Sequence, residues 1–223
     1  MGTLYIVATP IGNLKDITLR ALEVLKGVDI IFAEDTRVTK KLLLHYEIYT
    51  SIKRYDEYSN SGVYKEVQDR LEQGQLVALV TDAGTPGIAD PGSKLVAFIQ
   101  KELPEAKIIP IPGPTALIST LSVSGINANQ FTFLGYPPHK KGRQTFFKKL
   151  SEITIKPIML YESPHRLEKT LQSFIDVFGN EKEIVVAREL TKVHEEIWRG
   201  PVQNAKTHFQ GERKRGEFAI LIL

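Results

Sequence analysis

Four short segments collect the residue types that can hold a small ligand through backbone contacts without crowding it. They are Thr9-Pro10-Ile11-Gly12-Asn13, Glu34-Asp35-Thr36-Arg37, Thr81-Asp82-Ala83-Gly84-Thr85-Pro86 with Asp90-Pro91-Gly92, and Pro112-Gly113-Pro114-Thr115-Ala116. Alone, each reads as a tight turn, since Gly and Pro are turn residues first. Each also follows a short apolar run, however, and four such loops on one sheet edge would line a common crevice. The other chemistries of such a crevice are missing from the sequence. No G-x-G-x-x-G follows the first apolar run, and no G-x-x-x-x-G-K-[ST] occurs anywhere. The histidines, His45, His139, His165, His194 and His208, form no H-x-x-x-H pair, and there is no cysteine, so no metal is expected. A G-x-S-x-G elbow is absent as well. By elimination the loops suit an organic cofactor that carries its own chemistry.

The elements that must position these loops alternate. Leu4–Ala8, Val28–Ala33, Leu76–Val80 and Lys107–Ile111 are short and almost wholly apolar, which predicts strands covered on both faces. Helical patterns lie between them near 17–26, 36–46, 62–73 and 92–103. This order predicts an α/β fold whose first sheet is mostly parallel, with helices on both faces. The second half reads as strands at Phe131–Gly135, Pro157–Glu162, Glu183–Arg188, Glu196–Arg199 and Glu217–Leu223. Its best helix runs from Pro164 to Phe178, with Ser163 as cap, a stripe of Leu167, Leu171, Phe174, Ile175 and Phe178, and Gly179 as stop. Only Leu190–Glu195 separates two of the strands, which predicts an antiparallel pair and hence a mixed second sheet. The expected organisation is two tandem α/β domains, 1–112 and 113–223.

With 223 residues, 42% hydrophobic and 25% charged, the chain can bury a proper core. The absence of cysteine excludes disulfides and thiol nucleophiles and fits a reducing compartment. No basic-then-apolar leader precedes Leu4 and no apolar stretch is long enough to span a bilayer, so a cytoplasmic protein without a membrane partner is expected. The net charge of +3 is too small to imply nucleic acid by itself. Its distribution is more informative: residues 1–113 hold 13 Lys+Arg against 15 Asp+Glu, and residues 114–223 hold 16 against 11. The excess gathers around Lys140, Lys141, Arg143, Lys148 and Lys149, and again at Arg213–Arg215. Such runs are often only solvated surface, but they can also face phosphate.

With these motifs assembled, the chain resembles the tetrapyrrole methylase superfamily. The resemblance is carried by L-Y-I-V-A-T-P-I-G-N-L-K-D-I-T at 4–18, A-E-D-T-R at 33–37, T-D-A-G-T-P-G-I-A-D-P-G at 81–92 and P-G-P-T-A at 112–116. It continues through G-Y-P-P at 135–138, K-G-R at 141–143, Y-E-S-P-H-R-L at 161–167, A-R-E-L-T-K at 187–192 and G-E at 216–217. Thr81 stands where the family usually has Ser, and members of the closest branch continue past the last strand, whereas this sequence ends at Leu223. That branch methylates the ribose 2′-hydroxyl of a cytidine in 16S ribosomal RNA. The resemblance implies two α/β domains with S-adenosylmethionine in the cleft between them, 16S rRNA of the small subunit as partner, and a homodimer.

It also implies where the cofactor sits. Pro10, Gly12, Pro112 and Gly113 would shape the crevice, and Asp82 would anchor the cofactor beside Thr85 and Pro86. Thr115 and Ala116 open a helix whose N–H groups suit a carboxylate. Leu134 and Gly135, with Ala187 and Leu190, would surround adenine. A ribose hydroxyl is a poor nucleophile, so a nearby base is expected. Asp35 and Glu189 are the first candidates, with Glu34 and Glu162 behind them. Glu189 alternatively pairs with Lys192 or Arg188. Arg37, Arg166 and Lys192 would meet phosphate or a cleft carboxylate, and Lys140, Lys141, Arg143 and Arg166 would meet RNA. Two rivals remain: a tetrapyrrole C-methyltransferase on the same scaffold, and a catalytically silent ribosomal RNA-binding protein.

Overall fold

The structure is a computed structural model that describes residues 1–56, 59 and 61–223. It divides into two compact units, Met1–Thr115 and Ala116–Leu223.

The first unit runs β1 (Thr3–Val7), α1 (Leu19–Gly27), β2 (Ile30–Ala33), α2 (Thr36–His45), β3 (Ile52–Arg54), α3 (Ser61–Glu72), β4 (Leu76–Val80), α4 (Ser93–Glu102) and β5 (Lys107–Ile111). Its strands form one parallel sheet in the order β3-β2-β4-β1-β5. Alternation within each strand divides the core. Val7, Ile31, Ala33, Ala78 and Val80 point to the face covered by Ala21 and Leu25 of α1 and Leu42 and Leu43 of α2. Leu4, Ile30, Phe32, Val77 and Leu79 point to the other face, against Val67 and Leu71 of α3 and Leu95 and Ile99 of α4. The chain thus steps outward from β1 to β3 with its helices on one side and returns through β4 to β5 with them on the other. Crossovers of one hand require that arrangement.

Local chemistry sets the ends of these helices. Thr18 Oγ1 accepts the Ala21 N–H at 3.1 Å to open α1, and Asp35 Oδ1 accepts the Arg37 N–H at 2.8 Å to open α2. Two expectations need correction. Lys107–Ile111 is not covered on both faces: as the sheet edge beside β1 it exposes Lys107 and Pro110, and an edge is where a strand tolerates proline. β3 was not foreseen, because three residues with two exposed cations carry no apolar period.

The second unit runs α5 (Ala116–Val123), β6 (Thr132–Phe133), α6 (Arg143–Leu150), β7 (Ile158–Glu162), α7 (Leu167–Phe178), β8 (Glu183–Arg188), β9 (Glu196–Pro201), α8 (Val202–His208) and β10 (Phe218–Ile222). Its sheet has the order β6-β7-β10-β8-β9 and is mixed: β6 and β7 are parallel and every other pair is antiparallel, β8 with β9 included. Ile158, Leu160, Ile184, Val186, Phe218 and Ile220 pack beneath α6, α7 and α8. Met159, Val185, Ala187, Ala219 and Leu221 point the other way, where α5 supplies Leu117 and Leu121. The predicted stripe of the long helix is the buried side of α7, but its start differs. Residues 164–166 form a turn closed by the Arg166 and Leu167 N–H groups on the Ser163 carbonyl, and the helix begins at Leu167. α6 and α8 escaped notice, being eight and seven residues with few apolar positions each.

Candidate active site

The loops that leave the first sheet at its carboxyl edge are tied to one another. Thr9 and Gly84 exchange backbone hydrogen bonds at 2.9 and 3.0 Å, and Thr9 Oγ1 donates to the Thr81 carbonyl at 3.1 Å. Asp82 Oδ1 accepts the Asp35 N–H at 2.9 Å, which fastens the loop after β4 to the loop after β2. The small residues have a spatial reason. Gly84 has φ +80°, and a Cβ there would lie 3.6 Å from Ile11 and 3.9 Å from the Pro114 carbonyl. A Cβ on Gly113 would lie 3.0 Å from that of Ala8. Pro10, Gly12, Asp82, Thr85, Pro86, Pro112 and Gly113 therefore belong to loops that converge on one edge, with Gly84 held at positive φ and Gly113 packed directly on Ala8. One buried oxygen in this neighbourhood, Thr81 Oγ1, has no hydrogen-bond partner.

Beside these loops lies a cavity of about 830 Å³ at the ends of β2, β3 and β4. Residues 34–37, 54–56, 87 and 89–94 line it. Asp35 and Arg37 are among the expected site residues, whereas the loop residues expected to contact the cofactor do not line it. Sequence reasoning missed Arg54, Tyr55 and Asp56, because they lie in and just beyond the strand it did not see. Its one signal for the far wall was Asp90-Pro91-Gly92.

Electrostatics separates the acidic residues. Asp35 is gripped by Arg37, whose Nε and Nη2 donate at 3.0 and 2.6 Å, and this pairing holds its carboxyl far below the ordinary aspartate value. A carboxylate so stabilised is a poor base. Glu34 goes the other way: burial raises its pKa, and the nearby Asp82 adds to the shift. Desolvation raises Asp82 as well, despite its hydrogen bond from Asp35. Of the two, Asp35 is thus the more strongly held as an anion and Glu34 the more readily protonated.

In the second unit the expected residues do not form one group. Ala187 and Leu190 share the apolar cluster under α5, while Leu134 packs with the cluster on the opposite face of the sheet. The Gly135 carbonyl accepts the Tyr161 N–H at 3.0 Å. At the start of α5 the Leu117 N–H is already taken by the Tyr161 hydroxyl at 3.0 Å, so fewer donors remain there for an anion than expected. Glu189 sits at φ +50° and receives hydrogen bonds from Lys192 Nζ and the Glu217 N–H, both at 2.9 Å. Burial alone would raise its carboxyl, but these two donors outweigh it and hold the group below the ordinary value. Lys192 Nζ also meets Glu217 at 2.9 Å, so both residues belong to a local ion-pair knot.

Two expected RNA contacts are internal. Arg143 is 5% exposed, donates to Thr170 Oγ1 at 2.8 Å and lies 4.7 Å above the Phe147 ring. Arg166 pairs with Glu162 at 2.7 Å and donates to the Pro137 carbonyl at 2.8 Å. Neither side chain is placed to reach phosphate at the surface, which corrects both assignments. Lys140 and Lys141 are exposed.

These observations agree with the relatives of the chain. Residues 3–206 match the Tetrapyrrole (Corrin/Porphyrin) Methylases, and the chain belongs to that family. It is 47% identical over 223 residues to the ribosomal RNA small subunit methyltransferase I of Synechocystis sp., covering all of this chain and 79% of that one. The protein of the same name in Thermotoga maritima is 42% identical over 222 residues, covering 100% of this chain and 98% of its own. Among solved structures, a cobalt precorrin-4 methyltransferase superposes with a TM-score of 0.74 at 19% identity, covering 99% and 94% of the two chains. The uroporphyrin-III C-methyltransferase of Thermus thermophilus, complexed with S-adenosyl homocysteine, gives 0.65 at 15% identity, with 99% and 97% covered. These structural likenesses establish the fold. Among the described residues no helix is long and apolar enough to cross a membrane, and no group of three or more acidic or histidine side chains could hold a metal.

Proposed function

We propose that the chain transfers the methyl group of S-adenosylmethionine to the ribose 2′-hydroxyl of a cytidine in 16S rRNA of the small ribosomal subunit. The observation that carries this reading is similarity along the whole chain, at 40–47% identity, to proteins named for methylating small-subunit ribosomal RNA. It favours RNA over a tetrapyrrole, since the tetrapyrrole methylases above stand at 19% or less. The glycine-lined loops disfavour a silent RNA-binding protein, which would have no use for them.

When bound, the cofactor supplies a methyl group on a positively charged sulfur, which is already an excellent leaving group. The residues present fit it: the loops at 9–13, 81–86 and 112–115 converge with small residues and backbone donors and acceptors, Gly84 at φ +80° among them, and the buried Thr81 Oγ1 has no partner. Asp82 is the proposed anchor, with Ala116, Leu134, Gly135, Ala187 and Leu190 as further proposed contacts. The chain's main contribution is alignment of the hydroxyl with the methyl group, which needs no metal. We place RNA phosphates against Lys140 and Lys141, the protein in the cytoplasm, and the working form as a homodimer. The last point rests on the family resemblance, and a monomeric mass in sedimentation at micromolar concentration would remove it.

The test is transfer of a tritiated methyl group to small subunits from a strain lacking the gene, followed by mapping of alkali-resistant ribose linkages. One protected linkage, on the 3′ side of a cytidine, is expected, whereas label on a base would reject the reading. Asp82→Ala is expected to lower cofactor affinity in calorimetric titration. It is a cleaner probe than Gly113→Val, because a side chain at Gly113 strikes Ala8 and would disturb the fold itself.

A further inference from the structure

We propose that the cavity at the ends of β2, β3 and β4 receives the target nucleoside of the RNA, with Glu34 as the base for its 2′-hydroxyl. This rests on the methyl-transfer reading above. Glu34 carries the argument by its position. It lines the cavity, and its chain neighbour Asp35 donates its N–H to Asp82 Oδ1 at 2.9 Å, which ties this segment to the loop assigned to the cofactor. The group is therefore on the boundary between the two proposed ligands.

The cavity suits a nucleoside in size and chemistry. Its volume of about 830 Å³ lies within the ~300–1,000 Å³ usual for small-molecule sites. Carboxylates can accept hydrogen bonds from ribose hydroxyls and from the exocyclic amine of cytosine. Asp56 is 18% exposed, whereas Arg54 and Arg37 are 74% and 86% exposed. Each arginine is held by a carboxylate, Arg54 on Asp56 at 2.7 Å and Arg37 on Asp35 at 2.6 Å. Acceptors thus lie deeper and guanidinium groups at the rim, where the flanking phosphates of a chain would pass. The far wall is preformed. Gly87, Ala89 and Gly92 have φ of +84°, +62° and +143°, and a Cβ on Gly92 would come 3.1 Å from the Gly87 nitrogen.

The same geometry favours Glu34 over its neighbouring acids Asp35 and Asp56. Asp35 and Asp56 are committed to arginines, while burial and Asp82 leave Glu34 with a raised proton affinity. In the step, the 2′-oxygen gives its proton to a Glu34 carboxylate oxygen and bonds to the methyl carbon. The carbon–sulfur bond breaks with its electron pair left on sulfur, so the sulfonium becomes a neutral thioether. Glu34 then passes the proton to water.

The experiment compares wild type with Glu34→Gln and Arg54→Ala, using small-subunit RNA that lacks the modification. Single-turnover methylation at saturating cofactor and RNA is expected to fall at least ~100-fold in Glu34→Gln, the usual contribution of a general base. Its rate should also lose the rise with pH seen in wild type. A second readout needs no methyl transfer. Without cofactor, anisotropy of a labelled single-stranded oligonucleotide of the target sequence should show unchanged affinity in Glu34→Gln. The same measurement should show weaker binding in Arg54→Ala, with a salt slope smaller by about one. An active wild type with Glu34→Gln at the same rate and pH profile would overturn this inference alone. A wild type that labels no RNA would overturn the proposed function and this inference with it.

Discussion

Glu34 and Asp35 are chain neighbours with opposite electrostatic fates. Adjacent residues tend to point to opposite sides, so the sequence favours one of them over the other, with Asp35 among the first candidates; both nevertheless line the cavity. What decides between them is Arg37, which the α2 N-terminus folds back onto Asp35. No spacing rule announces that contact, since a cap and an ion pair use the same residues as a catalytic pair. The raised pKa of Glu34 has a consequence for stability. The folded protein keeps its proton to higher pH than the unfolded chain, whose glutamates titrate near 4.5. The stability tied to the neutral form is complete below that value and is lost as pH rises through the folded pKa. Glutamine never ionises, so Glu34→Gln is expected to melt at a higher temperature than wild type near about pH 8 and equally near about pH 4. Thermal unfolding followed by circular dichroism across that range checks it. A variant less stable at neutral pH would mean that ionised Glu34 is held by attraction, which would weaken its case as a base.

At the scale of elements, the motifs that carried the family resemblance turn out to serve two purposes. Arg166 of Y-E-S-P-H-R-L was expected to meet RNA, yet the motif's polar residues mostly hold β7 to α7. Glu162 is 1% exposed and accepts from Thr170 Oγ1 at 2.5 Å, from the Ser163 N–H at 2.8 Å and from Arg166. Arg143 of α6 joins through Thr170. Removing one partner of such a buried network strands the others, so Glu162→Ala is expected to cost about 3–5 kcal/mol in urea denaturation. Thr170→Val should cost less, because Arg166 and the Ser163 N–H still satisfy the carboxylate. The pairing of A-R-E-L-T-K with G-E is also architectural. Gly216 has φ +104°, and a Cβ there would fall 2.6 Å from Glu189 Cδ. Gly216→Ala is therefore expected to destabilise by roughly 1–3 kcal/mol and to loosen Lys192 with Glu189. The long apolar strands and α7 were legible because burial on defined faces forces a period. The three-residue β3 and the short α6 and α8 were not, since tertiary packing holds them with too few apolar positions to repeat.

For the whole molecule, charge is the property most directly readable from sequence, and the fold changes which charges count. The basic excess of the second half includes Lys140, Lys141, Arg143, Lys148 and Lys149. Sequence position alone makes them one patch, interleaved with Phe146 and Phe147. In α6, however, Phe147 and Leu150 are buried, Phe146 packs against the same core, and Arg143 turns inward. The lysines remain at the surface, with Lys140 and Lys141 leading into the helix through Gly142, whose φ of +82° suits glycine. If this surface meets RNA, each lost phosphate contact lowers the dependence of affinity on salt by about one unit. Replacing Lys140 and Lys141 with Ala is therefore expected to weaken RNA binding and to flatten the slope of log affinity against log salt by up to about two units. Cofactor affinity should be unchanged, because neither lysine belongs to the loops at 9–13, 81–86 or 112–115. Arg143→Met separates the two kinds of basic residue. It should leave the salt slope as in wild type and lower the unfolding midpoint, since it empties a buried bond to Thr170. Filter binding at several salt concentrations, with melting curves for each variant, gives both readouts. A wild-type salt slope in the double lysine variant would leave these residues as solvated surface, and Arg213–Arg215 would be the next basic segment to test.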